Sequence, residues 1–218
     1  MTAALILMTM LATNSRADEQ TEITFHAGRM TLNTGKASAG GGGAMSGTAY
    51  GVRYLHSATA FTAVGVDVDF LRPATKNSDS LIANARTTLG VESSSVLAVV
   101  RCGNTEEKIR PYGLFGMGVH FTTIHLEAAP QAGFGWSDTL TAEKRTLISS
   151  GGTAMAIKIS GGADYAVNEN FLAGLFLAFN HMGSATYAAT DQAKSLGVQS
   201  ASGSMTAITF GLNLTGRF

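Results

Sequence analysis

The sequence is poor in charge, cysteine and proline. Only 14% of its 218 residues are charged and the formal net charge is zero, so nothing indicates the basic surface that nucleic-acid binding requires. A single cysteine, Cys102, excludes a disulfide scaffold and a zinc site built from several cysteines. The hydrophobic content of 45% is too high for a disordered chain. We therefore expect a folded domain with part of its surface facing something other than water.

The N-terminal segment has the pattern of a secretory signal. Its apolar core, Ala3–Ala12, is too short to span a bilayer, and Ser15 and Ala17 give the small-x-small pattern of a signal-peptidase site. This predicts a signal peptide at 1–17 and a mature domain at 18–218; the alternative is a buried N-terminal helix. No later stretch approaches the ~20 consecutive apolar residues of a membrane-spanning helix.

Most of the remaining chain alternates between bulky apolar residues and small or polar ones. Successive side chains of a strand point to opposite faces, so a period of two predicts strands. The pattern is clearest at the end of the chain, where every second position from Ile208 to Leu214 is bulky. The eight predicted strands lie in Thr21–Asn33, Gly47–His56, Ala63–Phe70, Ser93–Arg101, Leu114–Phe121, Met155–Ser160, Phe171–Gly183 and Thr206–Phe218.

Short and long connections between these strands follow each other in strict alternation. The short turns are predicted at Ser57–Thr59, Cys102–Ile109 and Asp164–Asn170. The long loops are predicted at Thr34–Ser46, Arg72–Glu92, Thr122–Ser150 and Ser184–Gly203. All long loops then emerge at one end, as is typical of barrels with long extracellular loops and short periplasmic turns. The sequence predicts an all-β fold: an eight-stranded, antiparallel, up-and-down transmembrane β-barrel.

The first hairpin predicts a register. With a three-residue turn at 57–59, Tyr50 would pair with Val66 and Arg53 with Ala63. Apolar residues then face each other on one side of the sheet, and a slip of one residue would mix the two faces.

The chemistry of the polar face distinguishes a membrane barrel from a soluble one. A water-exposed exterior should be crowded with Lys and Glu, whereas this face consists mostly of Gly, Ala, Ser and Thr. Its ionisable residues are Arg53, Asp67, Asp69, His120, Lys158 and Arg217. Small residues with scattered charges fit the narrow interior of an eight-stranded barrel. We expect these lumen charges to pair, because an unpaired buried charge is very costly; an ion path is the alternative.

Three segments resemble a known family of outer-membrane proteins. Arg110–Gly118 resembles the fifth strand of OmpA-like and opacity-like surface barrels, and Gly162–Asn170 resembles the turn between their sixth and seventh strands. The final strand resembles the signal that the barrel-assembly machinery of Gram-negative bacteria recognises. The residues of this assembly signal are Phe210, Leu212, Leu214 and Phe218. The resemblance implies a structural protein or surface antigen.

Two histidines allow an enzymatic alternative. His181 lies three residues before Ser184, and some eight-stranded outer-membrane barrels are lipid A deacylases that use a His–Ser pair with a carboxylate. This pair lacks the close spacing of those enzymes, and His56, beside Ser57, falls at the periplasmic rim. No set of acid, base and nucleophile can be placed together from the sequence.

The sequence therefore predicts a monomeric, non-enzymatic barrel of the outer membrane, with no catalytic, metal or cofactor site. Its expected partners are the lipid bilayer and the assembly machinery, with no nucleic acid and with an undetermined host or surface ligand. The alternatives are a lipid-modifying barrel enzyme and a soluble periplasmic ligand-binding barrel.

Overall fold

The computed structural model describes residues 20–34, 43–73, 75–82, 85–103, 107–130, 144–195 and 200–218, with the side chains of 78–82 and 201 excepted. The predicted signal peptide, 1–17, lies outside the described residues. The strands are β1 Thr21–Asn33, β2 Ala44–Ser57, β3 Thr62–Pro73, β4 Lys76–Ile82, β5 Ala85–Gly103, β6 Ile109–Pro130, β7 Arg145–Asn168, β8 Phe171–Tyr187 and β9 Ala201–Arg217. A short helix, Asp191–Ser195, lies between β8 and β9. Across these ranges, no helix has the length and apolarity needed to cross a bilayer.

Eight strands close into an antiparallel ring in the order β1, β2, β3, β5, β6, β7, β8, β9. Pairing of β3 with β5 and of β1 with β9 completes the circle. At the seam, the Phe218 N–H donates to the Thr21 carbonyl at 2.9 Å and the Thr21 N–H donates back at 3.1 Å. The predicted eight-stranded barrel is confirmed. The additional strand, β4, pairs with residues 85–89 of β5, beyond the part of β5 that pairs with β3, and was predicted as part of a loop.

Three strands, β5, β6 and β7, are much longer than the alternation of bulky and small residues predicted. β6 has 22 residues and β7 has 24, whereas a transmembrane strand needs about 9–11. The loop predicted at Thr122–Ser150 is therefore wrong over much of its length, because β6 continues to Pro130 and β7 begins at Arg145. The same holds for Arg72–Glu92, where β4 and the first part of β5 replace loop. The barrel wall continues beyond the membrane as a folded sheet.

The register predicted for the first hairpin is wrong by four residues. Arg53 lies opposite Asp67 rather than Ala63. The turn is longer than predicted because Thr59 organises it: the Thr62 N–H donates to Thr59 Oγ1 at 3.0 Å, and the two hydroxyls are 2.7 Å apart. An even shift keeps every side chain on its predicted face.

Bulky apolar side chains form a belt around the outside of the ring. Leu212 is 64% exposed and Val66 is 45% exposed, whereas Asp67 and Lys158 are buried inside. Every ring strand contributes to this apolar band, for example through Phe25, Val52, Val66, Val96, Phe115, Ile157, Leu177 and Phe210. Unpaired backbone groups cost several kcal/mol in hydrocarbon, so a closed ring with an apolar outer band is the β-structure that can cross a bilayer.

Candidate functional site inside the barrel

The middle of the bore holds a compact group of ionisable side chains, which we term the central cluster. Its members are His26 of β1, Arg53 of β2, Asp67 and Asp69 of β3, and Lys158 of β7. All five are buried. They point inward because each alternates with apolar residues that point to lipid.

Lys158 and Arg53 bind the two carboxylates of the central cluster. Lys158 Nζ donates to Asp67 Oδ2 at 2.9 Å and to Asp69 Oδ2 at 2.7 Å. Arg53 donates to Asp67 Oδ2 through Nε at 3.1 Å and Nη2 at 3.0 Å. His26 Nε2 donates to Asp69 Oδ1 at 2.7 Å. Within the central cluster, the two cations Arg53 and Lys158 thus balance the two carboxylates.

The same cluster contains a set of possible metal ligands. His26, Asp67 and Asp69 present ligand atoms within 4.8 Å of one another. Lys158 Nζ already lies between the two carboxylates, and Arg53 binds the first of them. An entering cation would have to displace charges that the barrel itself supplies. We therefore interpret these residues as a salt-bridged cluster.

A second group lies near the short turns, and we term it the periplasmic cluster because short turns are expected on the periplasmic side of such barrels. It consists of Glu22, Arg101, Asp164 and Arg217, all buried. Arg101 joins both carboxylates, with Nη1 2.6 Å from Glu22 Oε2 and Nη2 2.7 Å from Asp164 Oδ2. Arg217 Nη2 donates to Glu22 Oε1 at 2.6 Å. Among these four residues two cations balance two carboxylates, and a further buried cation, Arg110, lies opposite Asp164.

An aromatic ring supports the periplasmic cluster. The Arg101 guanidinium lies 4.4 Å from the centre of the Tyr112 ring, a cation–π contact. Asn213 Nδ2 lies 2.5 Å from the Tyr112 hydroxyl. Charged groups in this narrow bore are therefore packed as well as paired.

The structure distributes the six lumen charges named from sequence over both groups. Arg53, Asp67, Asp69 and Lys158 belong to the central cluster, and Arg217 belongs to the periplasmic cluster. His120 is fully buried and joins neither.

Sequence analysis missed four members of the clusters. Glu22 and His26 both point into the bore from β1, but the sequence was used only to predict a strand at Thr21–Asn33 and not to decide which of its side chains point inward. Asp164 was placed in a turn, although β7 continues to Asn168 and keeps the inward phase of Lys158. Arg101 ends a predicted strand in inward phase. These four residues could have been predicted by following the alternation of inward and outward positions along the full length of each strand.

The long-connection end of the bore is filled by apolar side chains, which we term the apolar plug. Its larger buried members are Met30, Leu32, Met45, Leu71, Val91, Leu126, Leu147, Ile148, Met182, Tyr187 and Met205. An eight-stranded barrel is just wide enough to be filled by its own side chains. In the described part of the chain, the plug, the two clusters and a second group of buried apolar side chains, which includes Leu55, Leu97, Leu114 and Phe176, all lie inside the barrel.

The residues of the enzymatic alternative lie apart from these clusters. His181 and Ser184 are both exposed on β8, where a bulge interrupts the pairing with β9. In the ranges that the structure describes, no hydrogen bond joins either residue to the other or to a carboxylate. His56 is half-buried at the periplasmic end.

Comparison with known proteins identifies the fold. No family model and no curated protein matches the chain. Neisserial surface protein A (NspA) is similar with a TM-score of 0.58 and 10% identity, over 91% of this chain and 97% of that chain. The attachment invasion locus protein Ail of Yersinia pestis has a TM-score of 0.45 and 13% identity, over 92% and 99%. OprG of Pseudomonas aeruginosa has a TM-score of 0.45 and 12% identity, over 93% and 99%.

At this level of identity the similarity concerns the fold. The ring of eight strands, the apolar outer band and the charged interior agree with it. The chain is an eight-stranded antiparallel β-barrel, as its sequence predicted, and its fold is similar to that of NspA.

Proposed function

We propose that the protein is a monomeric, non-enzymatic barrel, with 18–218 as its mature domain, that holds a folded β-platform above the outer membrane as a structural or surface-antigen element. The observation that carries this proposal is the continuation of β5, β6 and β7 beyond the apolar band. The platform is formed by residues 85–92, 123–130 and 145–152.

The two faces of this platform have opposite chemistry. Its outer face carries polar or charged side chains such as Glu92, His125 and Glu127, while Leu126 and Leu147 point into the apolar plug. Ser149 Oγ lies 3.4 Å from His125 Nδ1 across the outer face. A sheet that is polar outside and packed inside supports display of a fixed surface to the exterior.

The interior supports a structural role. The carboxylates of both clusters are bound by arginine or lysine, which leaves no carboxylate there poised as a general base. Pairing of this kind keeps the buried charges of a narrow barrel from being left without partners, which would destabilise the fold.

We further propose that the outer row of β9 is the segment that the barrel-assembly machinery recognises. Phe210, Leu212 and Leu214 are exposed along one face of β9, and Phe218 follows them at 78% exposure. Such a row is accessible before the seam with β1 closes.

Cysteine labelling of intact cells tests the proposed display. Cys102 is exposed at the short-turn end, and His125→Cys in a Cys102→Ser background places a thiol on the platform. A membrane-impermeant maleimide should label His125→Cys in intact cells, and should label Cys102 only after the outer membrane is permeabilised. Heat-dependent gel migration of both proteins is the control for folding. Labelling of Cys102 alone in intact cells would contradict the proposed orientation.

A further inference from the structure

The outer wall of the barrel carries a groove within the apolar band. The groove has a volume of about 840 Å³ and extends over β8, β9, β1, β2 and β3. Its walls include the exposed side chains of Phe25, Tyr50, Leu175 and Leu212. It therefore opens toward lipid, and His26 of the central cluster and Asn213 also contribute to its lining.

The groove exists because a small residue lies among large ones. Ala27 is directly opposite Tyr50 on one side and Leu212 on the other. The Tyr50 ring stacks on Phe70 with centroids 5.4 Å apart, which makes one wall two rings wide. Ala27 forms the floor, since its methyl group leaves the space that a larger side chain would fill.

Two arginines lie at the extracellular end of this groove. Arg29 follows Ala27 by two residues on β1, and Arg72 follows Phe70 by two residues on β3. Thr48 is the pairing partner of both arginines. The two arginine side chains therefore lie in one row, separated by a single strand.

The arginines differ in their own partners. Arg72 Nη1 lies 3.8 Å from Glu92 Oε2, in a pair whose side chains are both well exposed. Among the described residues, no carboxylate lies within salt-bridge distance of Arg29, which is exposed on the outer face. An arginine on the lipid face costs least near the membrane interface, and its planar guanidinium matches the geometry of phosphate.

We propose that the groove binds one acyl chain of a phosphorylated outer-leaflet lipid, with the phosphate held by Arg29 and Arg72. Apolar walls below and positive charge above match the two ends of such a lipid. The occupant is a lipid rather than a free phosphate, because the groove accounts for most of the contact surface.

Native mass spectrometry of the folded protein in detergent tests this site. The probe is bisphosphorylated lipid A, compared with the same lipid after removal of its phosphates and with inorganic phosphate as a competitor. Ala27→Phe fills the groove, and Ala27→Leu is a smaller substitution for the same purpose. Arg29→Gln with Arg72→Gln removes the phosphate contacts.

Matched controls separate the site from general lipid binding. Ala98→Phe adds the same ring to the outer face of β5, away from the groove. Arg86→Gln with Lys194→Gln removes two charges elsewhere at the extracellular end. Heat-dependent gel migration confirms that each variant is folded.

We expect one lipid A per chain, with the bound fraction reduced at least about tenfold by either groove variant and by the double arginine variant. The controls should bind as the wild type does, dephosphorylated lipid should bind weakly, and inorganic phosphate should not compete. If both groove variants bound lipid A as well as the wild type does, the proposal would be overturned. Competition by inorganic phosphate, or a second copy of the chain in place of the lipid, would also overturn it.

Discussion

Arg53 and Asp67 lie opposite each other on β2 and β3, and their side chains form a buried ion pair with Nη2 and Oδ2 3.0 Å apart. Asp67 also accepts a hydrogen bond from Lys158 at 2.9 Å, although β7 lies on another part of the ring. One carboxylate thus joins three strands across the bore. The packing of the interior depends on this balance of charge.

Removal of the shared carboxylate should destabilise the barrel. Asp67→Asn leaves Arg53 and Lys158 with one fewer negative charge, and breaking a buried pair costs about 3–5 kcal/mol. Urea unfolding in lipid vesicles measures this loss in the free energy of unfolding. The balanced control is Lys158→Met with Asp69→Leu, which removes one charge of each sign and should cost less. An Asp67→Asn protein as stable as the wild type would contradict the account.

The two arginines of the periplasmic cluster should differ in importance. Arg101 binds both Glu22 and Asp164, whereas Arg217 binds Glu22. Arg101→Gln leaves Asp164 without its buried cation, at a cost of about 3 kcal/mol. Arg217→Gln should cost less, since Glu22 keeps one guanidinium. The same unfolding measurement compares them, and the reverse order would show that the bridging role is assigned incorrectly.

The packed bore predicts an absence of steady ion conduction. The apolar plug and the two clusters fill an interior that is already narrow. Wild-type protein reconstituted in a planar bilayer should show no discrete current steps above those of protein-free membranes. Regular steps of constant size would mean that an ion path passes the clusters.

The edge of the apolar band should be measurable on one strand. Ile157→Arg places a charge on the lipid face of β7 within the band, at a cost of about 2–4 kcal/mol. Thr153→Arg lies on the same face nearer the extracellular end, where the cost falls to about 0–1 kcal/mol. Unfolding free energies of the two variants in vesicles provide the comparison, and equal costs would place the band edge elsewhere.

The sequence predicted the part of the barrel that lies in the membrane, because lipid outside and a cramped polar interior impose strong alternation there. Above the apolar band the pattern reverses, because polar side chains point outward and apolar side chains point inward. On β6, His125 and Glu127 point outward to water while Leu126 points into the apolar plug. The run of bulky outward residues therefore ends at Phe121, although the strand continues to Pro130.

The candidate site was predictable only in part. Inward phase identified Asp67 and Lys158, but the partner of Arg53 depended on the length of a turn. Thr59 sets that length through its hydroxyl, and hydrophobic alternation carries no information about it. The ion pair between Asp67 of β3 and Lys158 of β7 is set by closure of the ring, which no local pattern encodes.

A nitroxide scan along β9 tests the central claim most directly. Single cysteines from Ile208 to Leu214, in a Cys102→Ser background, are spin-labelled in lipid vesicles and probed with oxygen, which concentrates in the hydrocarbon. The account predicts high oxygen accessibility at Ile208, Phe210, Leu212 and Leu214 and low accessibility at the positions between them. High accessibility at Thr209, Gly211 and Asn213, or no alternation at all, would contradict it.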